Sequence, residues 1–133
     1  MAYLFYIAVK LISYIAWCWV ALRLWGASST SLIRAAGFGI FRLALGVVFG
    51  IAIFFVLSTQ AEDLMWWKYI VVYTPVRMVE WFIMALIIGR TSGNQTTLNS
   101  ILWCLGGIVV SFAADLASPE GVAGHFCVGR CLC

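Results

Sequence analysis

Between Val71 and Ile88 the chain reads VVYTPVRMVEWFIMALII, an apolar run interrupted by Arg77 and Glu80. On a helix the two lie one turn apart on one face. A guanidinium and a carboxylate so placed suit three kinds of chemistry. They can neutralise each other or partners on other helices. They can hold an anion or an acidic lipid-like group. Or Glu80, or Asp115 further on, can act as a general base while arginines hold a phosphate. Lys10, Arg42 and Asp115 interrupt the other apolar stretches in the same way. Each lies on a polar stripe at helical spacing. Lys10 joins Tyr6, Ser13 and Tyr14; Arg42 joins Gly39, Gly46 and Gly50. Arg77 and Glu80 join Tyr73 and Met84, and Asp115 joins Ser100, Cys104, Gly107 and Ser111. The simplest assembly turns all four stripes inward. The glycines beside Arg42 let a neighbouring backbone approach and leave room for the guanidinium.

The elements that must position these residues follow from composition. Only 10% of the 133 residues are charged and 65% are hydrophobic, whereas a soluble domain carries about 25% charged residues. So few charges cannot cover a water-facing surface, and the lipid bilayer becomes the natural solvent and first partner of the chain. Four apolar stretches, Ala2–Trp25, Leu32–Leu57, Tyr69–Gly89 and Leu98–Ala117, are each long enough to cross it. GASSTS, STQAEDLMWWK and RTSGNQTT separate them with turn-forming residues. The spans are too long and too evenly apolar for barrel strands. The expected fold is an all-α integral membrane protein: four transmembrane helices in an antiparallel bundle with short loops over residues 1–118. A short Cys-rich extramembrane tail, 119–133, follows. No charge precedes Lys10, so the first span lacks the positive start of a cleavable signal and is expected to be retained.

Orientation follows from the basic residues near the span ends. Arg23, Arg34 and Arg90 border the first and third loops, while the second loop has Lys68 against Glu62 and Asp63. Cytoplasmic segments carry the excess of Lys and Arg. This predicts the first and third loops inside and both termini outside the cytoplasm, in a plasma or bacterial inner membrane. Trp66, Trp67 and Tyr69 at one boundary and Trp25 at the other fit an aromatic belt. With that orientation Lys10, Arg77 and Asp115 lie in the outer half, and Arg42 and Glu80 nearer the middle. Depth then pairs Arg77 or Lys10 with Asp115, and Arg42 with Glu80. Three cations against two carboxylates leave one positive charge over. Pro75 removes a helical hydrogen bond just outside Arg77, freeing the carbonyl of Val71 toward Thr74 or a water.

The tail carries a second group of reactive residues. His125, Cys127, Cys131 and Cys133 fall close together. Soft ligands so near one another could take zinc or copper(I), but the spacing matches no standard zinc pattern. In an oxidising compartment a disulfide, Cys127–Cys131 or Cys127–Cys133, is natural and leaves one thiol over; the other alternative is free, incidental cysteines. Cys18 and Cys104 read as small apolar packing residues. His125 is the single histidine, so haem held by two histidines of this chain is excluded. No cofactor is expected.

Several function classes drop out. There is no basic run for nucleic acid, and no hydrolase, zinc-protease, P-loop, dinucleotide or C-x-x-C motif. The first expectation is a small non-catalytic membrane protein. It would act within the bilayer as an accessory or assembly subunit, alongside other membrane subunits, or as a homo-oligomer. The alternative is a transporter or binder of an anionic or lipid-like ligand, centred on Lys10, Arg42, Arg77, Glu80 and Asp115. A small enzyme acting on lipid with the same charges is the third.

Overall fold

A computed structural model describes residues 2–26, 31–57, 66–92 and 96–119. They form four helices: α1 (Ala2–Leu24), α2 (Leu32–Leu57), α3 (Trp66–Ser92) and α4 (Thr97–Asp115). Each contains a segment long and apolar enough to cross a membrane. The fold is a helical bundle of the membrane-protein kind, with no strand among the described residues. Its outside is apolar. Leu4, Ile33, Phe55, Val56 and Val109 are between 67% and 84% exposed. An aqueous surface would not carry so continuous an apolar coat.

Local chemistry sets the helix ends. Gly26, at φ 65°, ends α1 in the left-handed conformation that glycine adopts without strain. Ser31 caps α2 through a hydrogen bond from the Arg34 amide to its Oγ. Thr96 caps α4 by accepting from the Asn99 amide. The last turn of α3 is tightened by Thr91 and Ser92, whose hydroxyls both donate to the Ile88 carbonyl.

The helices form a ring in which α1 packs on α2 and α4, and α3 packs on α4. Contact between α2 and α3 is the sparsest on the ring. The same ends of the helices gather together: the starts of α1 and α3 with the finishes of α2 and α4. This is called the Tyr69 end here, and the opposite one the Trp25 end. Glycines fix the closest approaches. A Cβ at Gly39 would lie 3.0 Å from the backbone nitrogen of Ile15, so α2 meets α1 there backbone to backbone. On α4, Gly106 and Gly107 accept the ring faces of Trp17 and Trp81.

Toward the Trp25 end the core is aromatic. Trp17 donates its indole N–H to the Trp103 carbonyl, and Trp103 donates to the Trp17 carbonyl, both at 3.1 Å. Trp25 and Trp81 each meet the Trp103 ring edge-on, at centroid distances of 5.2 and 5.0 Å. Two aromatics therefore depart from the expected belt. Trp25 is fully buried against Trp103, and Tyr69 is buried in the bundle. A span-end aromatic on the inward stripe packs its apolar body against other helices rather than at the lipid boundary; the Tyr69 hydroxyl finds a carboxylate there, whereas the Trp25 indole N–H is buried without a partner. Trp67 is half-exposed, as a belt residue would be. Pro75 lies on the exposed face of α3. The Thr74 hydroxyl donates to the Ile70 carbonyl at 2.6 Å, not to that of Val71; a helical threonine hydroxyl can reach the carbonyl three or four residues back, and here it takes the fourth.

Candidate functional site

Three helices deliver ionisable side chains to the core by the spacing of their buried stripes. On α1, Tyr6, Lys10 and Tyr14 follow at four-residue intervals; on α3, Tyr69, Tyr73 and Arg77 do the same, with Glu80 and Trp81 next. Residue 42 of α2 is the third contributor. The fourth helix adds Asp115 at its last turn, in line with Gly107 and Ser111.

The charges form two groups. In the first, Arg42 donates from Nη2 to Glu80 Oε2. The guanidinium lies between two rings, with its central carbon 4.9 Å from the centroids of both Tyr14 and Trp81. Such placement lets the ring faces replace part of the lost hydration. Trp81 is held in turn by its indole N–H, which donates to Ser111 Oγ at 3.0 Å. In the second group, Asp115 gathers four donors. Lys10 Nζ and Tyr6 Oη reach Oδ1, each at 2.8 Å; Tyr69 Oη reaches Oδ2 at 2.7 Å, and Arg77 donates to the same oxygen. Lys10 also donates to Tyr6 Oη at 2.6 Å, and Arg77 to Tyr69 Oη at 3.2 Å. The Phe112 ring sits 4.7 Å from the Arg77 guanidinium carbon. One carboxylate thus faces two cations, where depth alone had offered it one or the other.

Between α1, α2 and α3 lies a partly open cleft with about 30 Å³ of internal space, room for a water or two. Lys10, Arg42, Arg77 and Glu80 line it, whereas Asp115 does not. Its wall therefore presents three cations and one carboxylate. Gly46 forms the floor over Arg42: a Cβ there would lie 3.2 Å from Nη1 and 3.9 Å from Glu80 Oε1. Among the described residues, nothing hydrogen-bonds to Nη1 or to Oε1, and the Nε atoms of Arg42 and Arg77 are buried without a partner.

All five ionisable residues singled out from sequence are gathered here, but not every member of their stripes. Ser13 donates to the Val9 carbonyl and Ser100 to the Thr96 carbonyl, each within its own helix. Cys18 is buried, and Cys104 turns its thiol toward the Trp81 carbonyl at 3.5 Å. The part played by Tyr69 and by Trp81 escapes sequence reasoning. The signal for Tyr69 was its four-residue spacing from Tyr73 and Arg77. Nothing in sequence marks Trp81 as the shelf under Arg42. Among the described residues no cluster of His, Cys, Asp and Glu could hold a metal. His125, Cys127, Cys131 and Cys133 lie outside the described residues.

A four-helix bundle of membrane-protein kind, with a cationic cleft on one side, is the class the geometry defines. Compared with known protein families, with curated proteins and with solved structures, the chain matches none.

Proposed function

We propose that this is a multi-pass membrane protein that binds an anionic ligand in the cleft between α1, α2 and α3. The observation that carries the reading is the make-up of the cleft wall: three cations, one carboxylate, and the balancing Asp115 turned away from it. Across the whole cluster one positive charge is in excess. Buried in a bilayer, that excess costs at least about 2.5 kcal/mol, and one bound anion would cancel it. With the first and third loops cytoplasmic, the cleft lies in the outer half of the membrane, in reach of ligands from the outer side. Glu80 and Asp115 are both engaged by cations, which supports a binding rather than a catalytic role.

Replacing Lys10 with Met tests this. The variant keeps Arg77 on Asp115 and Arg42 on Glu80, and removes the excess charge together with the Lys10 bonds to Asp115 and Tyr6. Native mass spectrometry of gently extracted wild-type protein should show an anionic adduct, lost in Lys10→Met at nearly unchanged unfolding temperature. An adduct retained in Lys10→Met would count against the proposal, as would a wild-type chain that carries nothing.

A second reading rests on a different surface. Between α3 and α4 an apolar groove of about 540 Å³ runs along Phe82, Leu86, Ile101 and Leu105. It suits lateral contact with another membrane chain or a second copy, as an accessory subunit would make. A protein that travels with the chain through extraction, and is lost on Leu105→Trp, would favour that reading.

A further inference from the structure

On the outside of the bundle, Arg23 in the last turn of α1 is exposed, and its guanidinium carbon lies 4.1 Å from the centre of the Trp19 ring. Stacking holds a side chain that would otherwise sample many rotamers, and leaves its N–H groups free at the edge. Among the described residues Arg23 has no carboxylate partner. This end of the chain offers none: residues 26–31 and 91–97 include no Asp or Glu, while Arg23, Arg34 and Arg90 border them.

Arg23 also stands at the end of a groove. Ile12, Ile15, Ala16 and Trp19 share one face of α1 and, with Leu32 of α2, line an apolar groove of about 340 Å³ on the outside of the α1–α2 contact. It shares no residue with the charged cleft. At 1.5 Å per residue, Ile12 to Trp19 covers about 10 Å, and Arg23 lies about 6 Å further on. Ile12 is close to the middle of α1, so the groove spans about half of a roughly 30 Å hydrocarbon core, one leaflet. A helix from another protein would run through both leaflets. An acyl chain below a phosphate has the depth of this groove, and the held cation is where that phosphate would lie.

We infer that the groove binds an anionic phospholipid of the leaflet at the Trp25 end. Two phosphate oxygens accept from the planar fork of Arg23. Trp19 lies at the boundary between headgroup and chain, the level that tryptophan favours. One acyl chain runs along Ala16 toward Ile12. With the first and third loops cytoplasmic, this is the leaflet whose anionic lipids give the membrane surface its negative potential.

The test uses the full chain purified in a maltoside detergent, with native mass spectrometry and thermal unfolding as readouts. The probes are dioleoylphosphatidylglycerol, dioleoylphosphatidylcholine and inorganic phosphate. Phosphatidylglycerol should bind about fivefold more tightly than phosphatidylcholine, the equivalent of one basic side chain near an anionic surface. Inorganic phosphate should not stabilise the protein. Arg23→Gln should bring phosphatidylglycerol down to the phosphatidylcholine level. Ala16→Trp fills the groove and should weaken both lipids; Arg23→Gln carries the test if that variant fails to fold. Arg34→Gln removes the same charge from the same end but does not line the groove, and should keep the preference. Equal loss in Arg23→Gln and Arg34→Gln would reduce the effect to diffuse surface charge and overturn the site. Equal binding of the two lipids by the wild-type chain would overturn the anionic headgroup. Inorganic phosphate as effective as phosphatidylglycerol, or unchanged lipid binding in folded Ala16→Trp, would remove the acyl chain from the groove. A co-purifying protein lost on Ala16→Trp would put a polypeptide there instead.

Discussion

Asp115 shows how much one carboxylate can organise. It receives Lys10, Arg77, Tyr6 and Tyr69, so two helices, α1 and α3, are tied to the last turn of α4. Removing its charge leaves two cations buried with no carboxylate between them. Breaking a buried pair from one side typically costs about 3–5 kcal/mol. Asp115→Asn should therefore lower the unfolding free energy in detergent by about that amount, whereas Lys10→Met should cost far less because Arg77 still has its partner. Equal losses in the two variants would mean that Lys10, not Arg77, carries the tie. Sequence made the five charges legible, since an ionisable residue in an apolar run is conspicuous. It also made their depth legible, through distance from the span ends. What it could not convey was how many cations one carboxylate would take. That depends on which helix faces are adjacent and on the two tyrosine hydroxyls that complete the shell, neither of which depth along a helix reports.

The helices themselves were nearly all readable. The second apolar stretch and α2 coincide at Leu32–Leu57. The third helix runs beyond its apolar stretch at both ends, to Trp66 and Ser92. Hydropathy marks the segment that avoids water, while backbone hydrogen bonding continues into Lys68, Arg90 and the back-bonded hydroxyls of Thr91 and Ser92. The fourth helix stops at Asp115, two residues short of its apolar stretch, with Leu116 and Ala117 in a turn. Close approach was legible only in part. Gly39 stood on the expected stripe, but the seat that Gly106 offers Trp17 did not. The glycines of α2 divide accordingly. Gly39→Val drives its side chain into the Ile15 backbone and should destabilise the bundle by about 1–3 kcal/mol, as overpacking does. Gly37→Val meets open space and should leave the unfolding temperature almost unchanged. If both variants behave alike in thermal unfolding, the α1–α2 contact is not where the glycines place it.

At the scale of the molecule, the proposed orientation has a direct check. With the native cysteines replaced, a single cysteine at Asn99, exposed at the Trp25 end, should react with a membrane-impermeant maleimide only after the cells are opened. One at Trp67, at the other end, should react in intact cells. The reverse pattern would turn the protein over and put the cleft in the cytoplasmic half. The bundle also has a consequence for how the chain is made. Lys10 in the first helix finds its carboxylate on the last, 105 residues later, and Arg42 must wait for Glu80 on the third. During synthesis the early helices enter the membrane carrying charges that nothing yet balances. Such helices are poor residents of lipid alone until α4 arrives. A nascent chain halted before Asp115 would keep Lys10 and Arg77 without a counter-charge. That would leave it exposed to membrane quality-control proteases, and a chain that includes Asp115 should outlast it.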